Sequence, residues 1–308
     1  MLDLPGAVSA NGIDAPVAAH YGSFNGEQRT LEAGDGYVDL SHRDVVRIAG
    51  PDRLGWLHNI TTQFFEGLPP GRQTTALILS PQGHVEHAFT GVDDGAAFTA
   101  HTEPGAGAAL IGFLERMKFM TRVDITDETE SLAVMWRPVD GGKFDLVPRE
   151  RLASYGEAVG PAAGIWAYDA LRIARGEPRL GFDTDHRTIP NEVGWIGTAV
   201  HMDKGCYRGQ ETVARVHNLG RPPRRLVLLH LDGSENTLPQ VGSELRHGDK
   251  VVGFVGSSAR HHELGPIALG LVKRNVPVDA ELDAGGLPAA QEVIVDPEVG
   301  LHFRPHAR

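Results

Sequence analysis

The chain contains one cysteine, Cys206, and it lies in the stretch 204-KGCYRGQETVAR-215. Lys204 and Arg208 stand on either side of it. The pattern from Arg208 onward is helical, so Cys206 is expected just before a helix N-terminus, where the helix dipole and two cations favour a thiolate. These residues predict an accessible, reactive thiol, and a buried, inert cysteine is the alternative.

The region around the cysteine is basic. Residues 204–225 carry a local charge of +5 in a protein whose formal net charge is −11. The charged residues in this window are Lys204, Arg208, Glu211, Arg215, Arg221, Arg224 and Arg225. Such a patch suits an anionic small molecule, a polyanionic tail or RNA. A solvated hinge is the alternative for the last three arginines, and a surface ion pair is the alternative for Glu211 and Arg215.

Composition excludes several classes of protein and site. The 308 residues, 41% hydrophobic and 22% charged, are typical of a folded α+β protein of two or three packed units. One cysteine excludes an intramolecular disulfide and a Cys-only metal site within one chain. Without a basic N-terminal region or a long apolar run, the sequence predicts a cytoplasmic protein with no membrane contact. The negative charge also argues against stable nucleic-acid binding.

Hydrophobic periodicity predicts the elements that position these residues. Alternating apolar residues and turn residues predict an antiparallel meander of three strands, over residues 73–80, 84–91 and 96–102. Helical spacing predicts helices over residues 50–60, 106–117, 165–176 and 208–216. Four short strands predict a small C-terminal barrel or sandwich, over residues 226–231, 250–257, 267–273 and 291–296.

Changes in composition along the chain predict three regions. Residues 1–36 are rich in Gly, Ala and Asp and are expected to form a loosely packed leader. The stiff segment 220-GRPPRR-225 marks a boundary near residue 221. The expected domains are therefore residues 37–220 and residues 221–308.

The stretch around Cys206 resembles the signature K-G-C-Y-x-G-Q-E, followed by A-R, of the YgfZ folate-binding proteins. These are relatives of the glycine cleavage T-protein, an aminomethyltransferase. Further segments that resemble the family are 47-RIAGPDRLGWLHNITT-62, 79-SPQGHVEHAF-88, 170-ALRIARGEPRLGFDTDHRTIPNEVGW-195 and 252-VGFVGSSARHHELGPIALGLVK-273. The resemblance covers roughly residues 37–295.

The resemblance implies an α+β fold of three β-rich subdomains in a ring around a central folate-binding channel, with a C-terminal β-barrel. It implies that tetrahydrofolate, or a polyglutamylated one-carbon derivative, is the cofactor and that Cys206 is the functional residue. Glu192 stands where the family's carboxylate contacts the pterin, whose adjacent amino group and ring N–H a carboxylate can accept. The other residues expected to bind the cofactor are Glu86, Lys204, Tyr207, Arg208, Gln210 and Arg215.

One departure from the T-protein pattern bears on the activity. T-proteins carry two consecutive aspartates on the central hairpin, and the corresponding residues here are Glu86 and His87. The extra methylene of a glutamate displaces the carboxylate, and catalytic geometry tolerates such shifts poorly. The resemblance therefore implies the YgfZ role, which is folate-dependent maintenance or repair of iron–sulfur enzymes, including radical enzymes that modify tRNA.

Three functions follow from these patterns. The first is a folate-binding protein that assists iron–sulfur client enzymes or assembly factors through Cys206. The second is a folate-dependent aminomethyltransferase that works without Cys206. The third is an RNA-binding module that uses the basic residues 221–225.

Overall fold

The computed structural model describes residues 1–218, 220–234 and 236–298. The chain divides into two compact units. The first contains residues 1–76 and 87–168, and the second contains residues 77–86 together with the chain from residue 169 onward. The second unit therefore takes in the tip of a hairpin that is distant from the rest of it in sequence.

The described residues form six α-helices and seventeen strands. The helices are α1 (Phe24–Glu32), α2 (Arg53–Ile60), α3 (Gly107–Met117), α4 (Leu152–Val159), α5 (Ile165–Ala174) and α6 (Gln210–Asn218). The first strands are β1 (Val8–Ser9), β2 (Ala18–His20), β3 (Tyr37–Asp39), β4 (Asp44–Ala49), β5 (Gln73–Leu79), β6 (Val85–Asp93), β7 (Ala97–Thr102), β8 (Asp124–Asp127), β9 (Leu132–Arg137), β10 (Lys143–Pro148) and β11 (Ala162–Ala163). The others are β12 (Arg224–Leu231), β13 (Glu244–His247), β14 (Lys250–His261), β15 (Gly265–Lys273), β16 (Leu282–Ala284) and β17 (Leu287–Val293).

Two sheets contain the strands that precede α5, apart from the β1–β2 pair. One is a five-stranded sheet in the order β5-β6-β7-β4-β8, and the other is a four-stranded sheet in the order β10-β9-β3-β11. The predicted meander is confirmed as β5, β6 and β7. The predicted helices are confirmed as α2, α3, α5 and α6, although α6 begins at Gln210, two residues later than predicted.

The first 36 residues are more ordered than their composition suggests. The predicted loosely packed leader contains β1, β2 and α1. Val17 and Leu31 are fully buried, because the few apolar residues of this segment pack inward. The carboxylate of Glu27 also accepts hydrogen bonds from the backbone N–H groups of Tyr21 and Gly164, which tie α1 to the start of α5.

The second unit is built on a closed barrel in the strand order β12-β15-β14-β13-β16-β17. This confirms the predicted C-terminal β-barrel. Alternate residues of β12 point to opposite faces, as in any strand. Val227, Leu229 and Leu231 join a buried cluster to which all six strands contribute, so they fill the barrel interior. Leu226 and Leu228 pack outside it against Ile173 of α5.

A buried polar network fixes α5 to the barrel. Arg172 donates hydrogen bonds to Asp183 at 3.1 Å and to the Ser257 hydroxyl at 2.6 Å. Asp183 also accepts the backbone N–H of Ser257 at 2.6 Å. Because the charged partners satisfy one another, this network holds Asp183, in the segment between α5 and Glu192, against the barrel.

The domain boundary near residue 221 and the ring of three subdomains remain predictions. The predicted boundary near residue 221 falls inside the second compact unit, shortly before β12 begins. Whether residues 221–308 form a domain of their own stays a prediction, as does the ring of three subdomains around a channel. In the part of the chain that the structure describes, every helix is too short or too polar to cross a bilayer.

Candidate functional site

Glu192 is a buried carboxylate, not an exposed loop residue. It ends a 3₁₀ turn, Pro190–Glu192, and is only 1% exposed. Arg224 of β12 donates to both of its oxygens, from Nε to Oε1 at 2.8 Å and from Nη2 to Oε2 at 2.9 Å. The backbone N–H of Ile189 donates to Oε2 at 3.1 Å. The guanidinium therefore holds Glu192 in a bidentate, charge-assisted pair.

The same guanidinium binds a second carboxylate. Arg224 donates from Nη1 and Nη2 to the two oxygens of Asp185, at 2.6 and 3.0 Å. Burial alone would raise the pKa of Asp185, but the hydrogen bonds from Arg224 and the Arg187 N–H outweigh it, and the pKa is lowered overall. Likewise, burial opposes the charged form of Arg224, but Glu192 and Asp185 raise its pKa overall. We call Asp185, Glu192 and Arg224 the carboxylate–arginine cluster.

The cluster has the chemistry to bind a pterin edge. A carboxylate offers about four lone-pair positions, and three hydrogen bonds to Glu192 are already made. Oε2 already accepts two hydrogen bonds, from Arg224 and from the Ile189 N–H. A ligand with two adjacent N–H donors can therefore bind both oxygens only if one of these two donors moves away from Oε2. Arg224 is therefore the group that would have to shift before such a ligand could engage both oxygens of Glu192.

The signature segment, residues 204–215, contains both buried and exposed side chains. Cys206 and Arg208 are exposed, whereas Lys204 and Tyr207 are buried. The Lys204 ammonium lies 5.0 Å from the centre of the Tyr207 ring, within the range of a cation–π contact. Burial raises the pKa of the Tyr207 hydroxyl to about 12. The buried pair anchors the segment, and Cys206 between them faces solvent.

The hairpin tip, residues 77–86, packs on the signature segment through two glycines. Gly209 has φ +80° and Gly83 has φ +85°, and a Cβ on Gly209 would lie 2.8 Å from the Gly83 Cα and 2.5 Å from the Ser80 carbonyl oxygen. Only residues without a side chain allow this approach. The N–H of Val85 donates to the Thr188 carbonyl at 2.9 Å. The tip therefore contacts both the signature segment and the loop that leads to Glu192.

Glu86 and Arg208, both predicted to bind the cofactor, are paired with each other. Arg208 Nη1 donates to Glu86 Oε2 at 2.9 Å, and both side chains are about one-third exposed. The Glu86 carboxylate of the hairpin is thus bound to an arginine of the signature segment. The neighbouring His87 packs against Phe113, with ring centres 5.8 Å apart.

The predicted basic patch is largely compensated by carboxylates. Arg215 binds Glu211 at 2.6 Å and Arg221 binds Glu298 at 2.8 Å. The alternative of a surface ion pair for Glu211 and Arg215 matches this geometry. Since Arg208 and Arg224 are also paired, the charge of +5 counted along the sequence is not available as a free cationic surface.

The alternative of a solvated hinge does not hold for Arg224 and Arg225, which are both largely or fully buried. Arg225 is fully buried and donates to the Gln291 side chain at 2.7 Å and to two backbone carbonyls. Burial lowers the pKa of its guanidinium. The sequence does not show that β12 begins at Arg224, two residues earlier than the predicted strand, and carries both arginines into the barrel wall.

Gln210 is the first residue of α6, and its backbone N–H donates to the Tyr207 carbonyl at 3.2 Å. Sequence reasoning missed Asp185 and the role of Arg224. Their contact spans 39 residues of sequence, and no local motif marks it. The unusual density of polar residues in 183-DTDHRTIPNE-192 was the one available signal.

No family model matches this chain. A putative chloroplastic transferase of Arabidopsis thaliana is 24% identical over 307 residues, covering 82% of this chain and 69% of the relative. An aminomethyltransferase of Bacillus subtilis is 24% identical and covers 84% of each. The mitochondrial iron–sulfur cluster assembly factor IBA57 homolog of Mycosarcoma maydis is 24% identical, covering 62% of this chain and 56% of the relative.

The fold is that of a solved aminomethyltransferase. The glycine cleavage system aminomethyltransferase T of Bartonella henselae superposes with a TM-score of 0.77, covering 97% of this chain and 96% of that chain, at 17% sequence identity. At this identity the likeness shows the fold alone. The homologues of this chain are therefore aminomethyltransferase-like proteins together with an IBA57 homolog, and the narrower resemblance to YgfZ stays a prediction.

Proposed function

We propose that this protein binds tetrahydrofolate, or a one-carbon derivative of it, and assists the assembly, maintenance or repair of iron–sulfur enzymes through Cys206. The observation that carries the proposal is the pair between Glu86 and Arg208. It engages the carboxylate in the T-protein aspartate slot, and the chain's single thiol lies exposed two residues before that arginine. The arrangement favours chemistry at the thiol over chemistry at the hairpin carboxylate.

The carboxylate–arginine cluster is the proposed pterin site. Glu192 would accept the amino group and ring N–H of the pterin, and Arg224 would move partly onto Asp185, to which it already donates twice. When bound, the folate supplies one-carbon chemistry. The chain's own contribution is to hold Glu192 in place through the buried Arg224 contact until the pterin binds.

Cys206 is the proposed point of contact with a client. Its exposure suits reaction with a macromolecule, and Gly205 beside it has open space around it. One thiolate cannot hold an iron–sulfur cluster alone, so the remaining ligands would come from the client protein or a small thiol. The IBA57 homolog, an iron–sulfur cluster assembly factor by name, supports this assignment.

Folate binding is tested by anaerobic calorimetric titration with tetrahydrofolate. Glu192→Gln should weaken binding by about tenfold or more, because hydrogen bonds to a charged group contribute about 1.5–3 kcal/mol. Glu211→Gln, which changes an exposed carboxylate of the signature segment, is the matched control and should bind as the wild type does. Equal affinity in all three proteins would remove the cluster from the proposal.

The role of the thiol is tested in cells that lack the protein. Wild type should restore the activity of iron–sulfur enzymes such as a [4Fe–4S] dehydratase, and Cys206→Ala should fail although it binds tetrahydrofolate normally. Full restoration by Cys206→Ala would contradict the proposed role.

A folate-dependent aminomethyltransferase is the second candidate, because relatives with that name align over most of this chain. It predicts transfer from an aminomethyl-lipoyl carrier protein to tetrahydrofolate, with turnover unaffected by Cys206→Ala and abolished by Glu86→Gln. Turnover with this pattern would replace the first proposal.

A further inference from the structure

Two adjacent apolar side chains of the first unit project into solvent. Phe119 is 86% exposed and Met120 is 97% exposed, whereas no other large apolar residue in the described ranges exceeds the 48% of Val241. We call this pair the apolar knob. A single exposed apolar residue is ordinary, but two neighbours exposed almost completely are not explained by folding.

The knob lies in a turn. Hydrogen bonds to α2, and to the residue just before α2, hold the chain on both sides of this turn. Asp52 accepts three hydrogen bonds from Arg122, from the backbone N–H at 2.9 Å and the guanidinium at 3.0 and 2.7 Å. These bonds lower the pKa of Asp52 to about 2. On the N-terminal side of the turn, the Trp56 indole N–H donates to the Met117 carbonyl at 3.1 Å. Hydrogen bonds therefore hold the residues on both sides of the knob in place.

The turn itself is closed, and its backbone is unusual. The N–H of Thr121 donates to the Lys118 carbonyl at 2.9 Å. Phe119 has φ +44°, a left-handed conformation that a bulky side chain seldom adopts. A glycine would fit this backbone at lower cost. The chain instead places a phenylalanine there, fully presented to solvent.

The charges around the knob do not favour a lipid surface. Arg122 is paired with Asp52, and the Lys118 ammonium lies 3.8 Å from Glu115 and 4.0 Å from Asp124. Flanking cations that already have carboxylate partners add little attraction to anionic headgroups, and the protein's net charge of −11 opposes it.

The knob by itself is also too small to form the interface of a stable dimer. A phenylalanine buries about 150–250 Å², and with the methionine the knob offers roughly half of the ~800 Å² per partner that a standard interface needs. A small, rigidly held aromatic and methionine pair instead has the character of an anchor, because little side-chain and backbone freedom is lost on binding.

We propose that Phe119 and Met120 anchor this protein to a transient partner protein by entering an apolar pocket on that partner. The anchor lies in the first unit and involves none of the residues of the carboxylate–arginine cluster or the signature segment. The proposed anchor can therefore be tested independently of folate binding.

The test places a photo-crosslinking amino acid at position 120 in the full chain in cells, with position 278 as the control. Val278 is also apolar and is 45% exposed. We expect one protein, identified by mass spectrometry, to be captured at position 120 and not at position 278. That protein is then purified, and its affinity for wild type should exceed its affinity for Phe119→Gly by about tenfold or more.

Phe119→Gly removes the ring and suits the positive φ, so the variant should retain the wild-type melting temperature. Val278→Ser is the matched control for the affinity and should bind the partner as wild type does. Three results would overturn the proposal: no specific capture at position 120, capture of a second copy of this chain, or equal affinity of the purified partner for wild type and Phe119→Gly. Binding to phosphatidylglycerol vesicles that depends on Phe119 would also overturn it, in favour of a membrane contact.

Discussion

At the scale of single residues, burial separates arginines that look alike in the sequence. Arg215 and Arg224 lie nine positions apart in one basic window. The Arg215 pair with Glu211 is largely exposed, whereas Arg224 is 19% exposed and holds a carboxylate that is 1% exposed. Charge counted along the chain predicts neither state, because burial depends on which strand or helix each residue joins.

Arg224→Ala should destabilise the protein by about 3 kcal/mol or more, because it leaves Glu192 buried without its cation. Arg215→Ala is the matched control, and its loss should stay within about 0.5 kcal/mol because exposed ion pairs contribute little. Urea unfolding at neutral pH measures both free energies. Similar small losses for the two variants would show that the Glu192 contact is not the buried pair described above.

The carboxylate–arginine cluster also predicts an acid dependence of stability. The pKa of Asp185 is lowered in the folded protein, so its contribution is complete above the unfolded pKa of about 3.9 and is lost as the pH falls through the lower folded value. Wild type should therefore lose stability below about pH 4 more steeply than Asp185→Asn, which has no carboxylate to protonate. Unfolding free energies measured from about pH 5 to pH 3 give the two slopes, and equal slopes would contradict the pairing.

At the scale of elements, the hairpin tip and the start of α6 are joined by a contact between glycines. The sequence predicted the hairpin, from turn residues between alternating strands, and placed a helix after the signature. It could not predict that Gly83 and Gly209 meet, because this contact joins elements more than 120 residues apart. The contact explains why Glu86 lies beside Arg208. It also explains how the exposed segment that carries Cys206 is held in place.

Gly209→Ala should cost about 1–3 kcal/mol, since the residue has φ +80° and its Cβ would meet the Ser80 carbonyl oxygen at 2.5 Å. Gly205→Ala is the control, because nothing lies within 4 Å of its Cβ position and its φ is not left-handed. Its effect should stay within about 0.5 kcal/mol. Thermal unfolding compares the two, and a neutral Gly209→Ala would mean that the tip does not pack on the signature segment in solution.

At the scale of the whole molecule, the local patterns predicted most of the regular structure. Short apolar runs between turn residues located four strands of the barrel, and alternation with turn residues located the central hairpin. The prediction missed β10 and α4, which lie in a stretch rich in Gly and Pro. It also missed β1, β2 and α1 in the expected leader and the short strands β11, β13 and β16. It also could not find the contacts of Arg172 with Ser257 or of Arg224 with Asp185, because these depend on the tertiary path of the chain and not on local spacing.

The compensated charges lead to a prediction for the whole protein. With a net charge of −11 and the arginines of the window either paired or buried, the protein should show no saturable binding to single-stranded RNA even at about 50 mM salt. Fluorescence anisotropy of a labelled oligonucleotide provides the measurement. Binding that weakens steeply with added salt would revive the RNA-binding function instead.

The most direct test of the central claim is the rate at which iodoacetamide alkylates Cys206, measured at fixed pH with and without saturating tetrahydrofolate. The chain has one cysteine, so the signal reports that residue alone. If folate and thiol act in one functional site, tetrahydrofolate should slow alkylation of wild type, and Glu192→Gln should need about ten times more tetrahydrofolate for the same slowing. A rate that does not respond to bound tetrahydrofolate would contradict the account, because Cys206 and the carboxylate–arginine cluster would then be functionally separate.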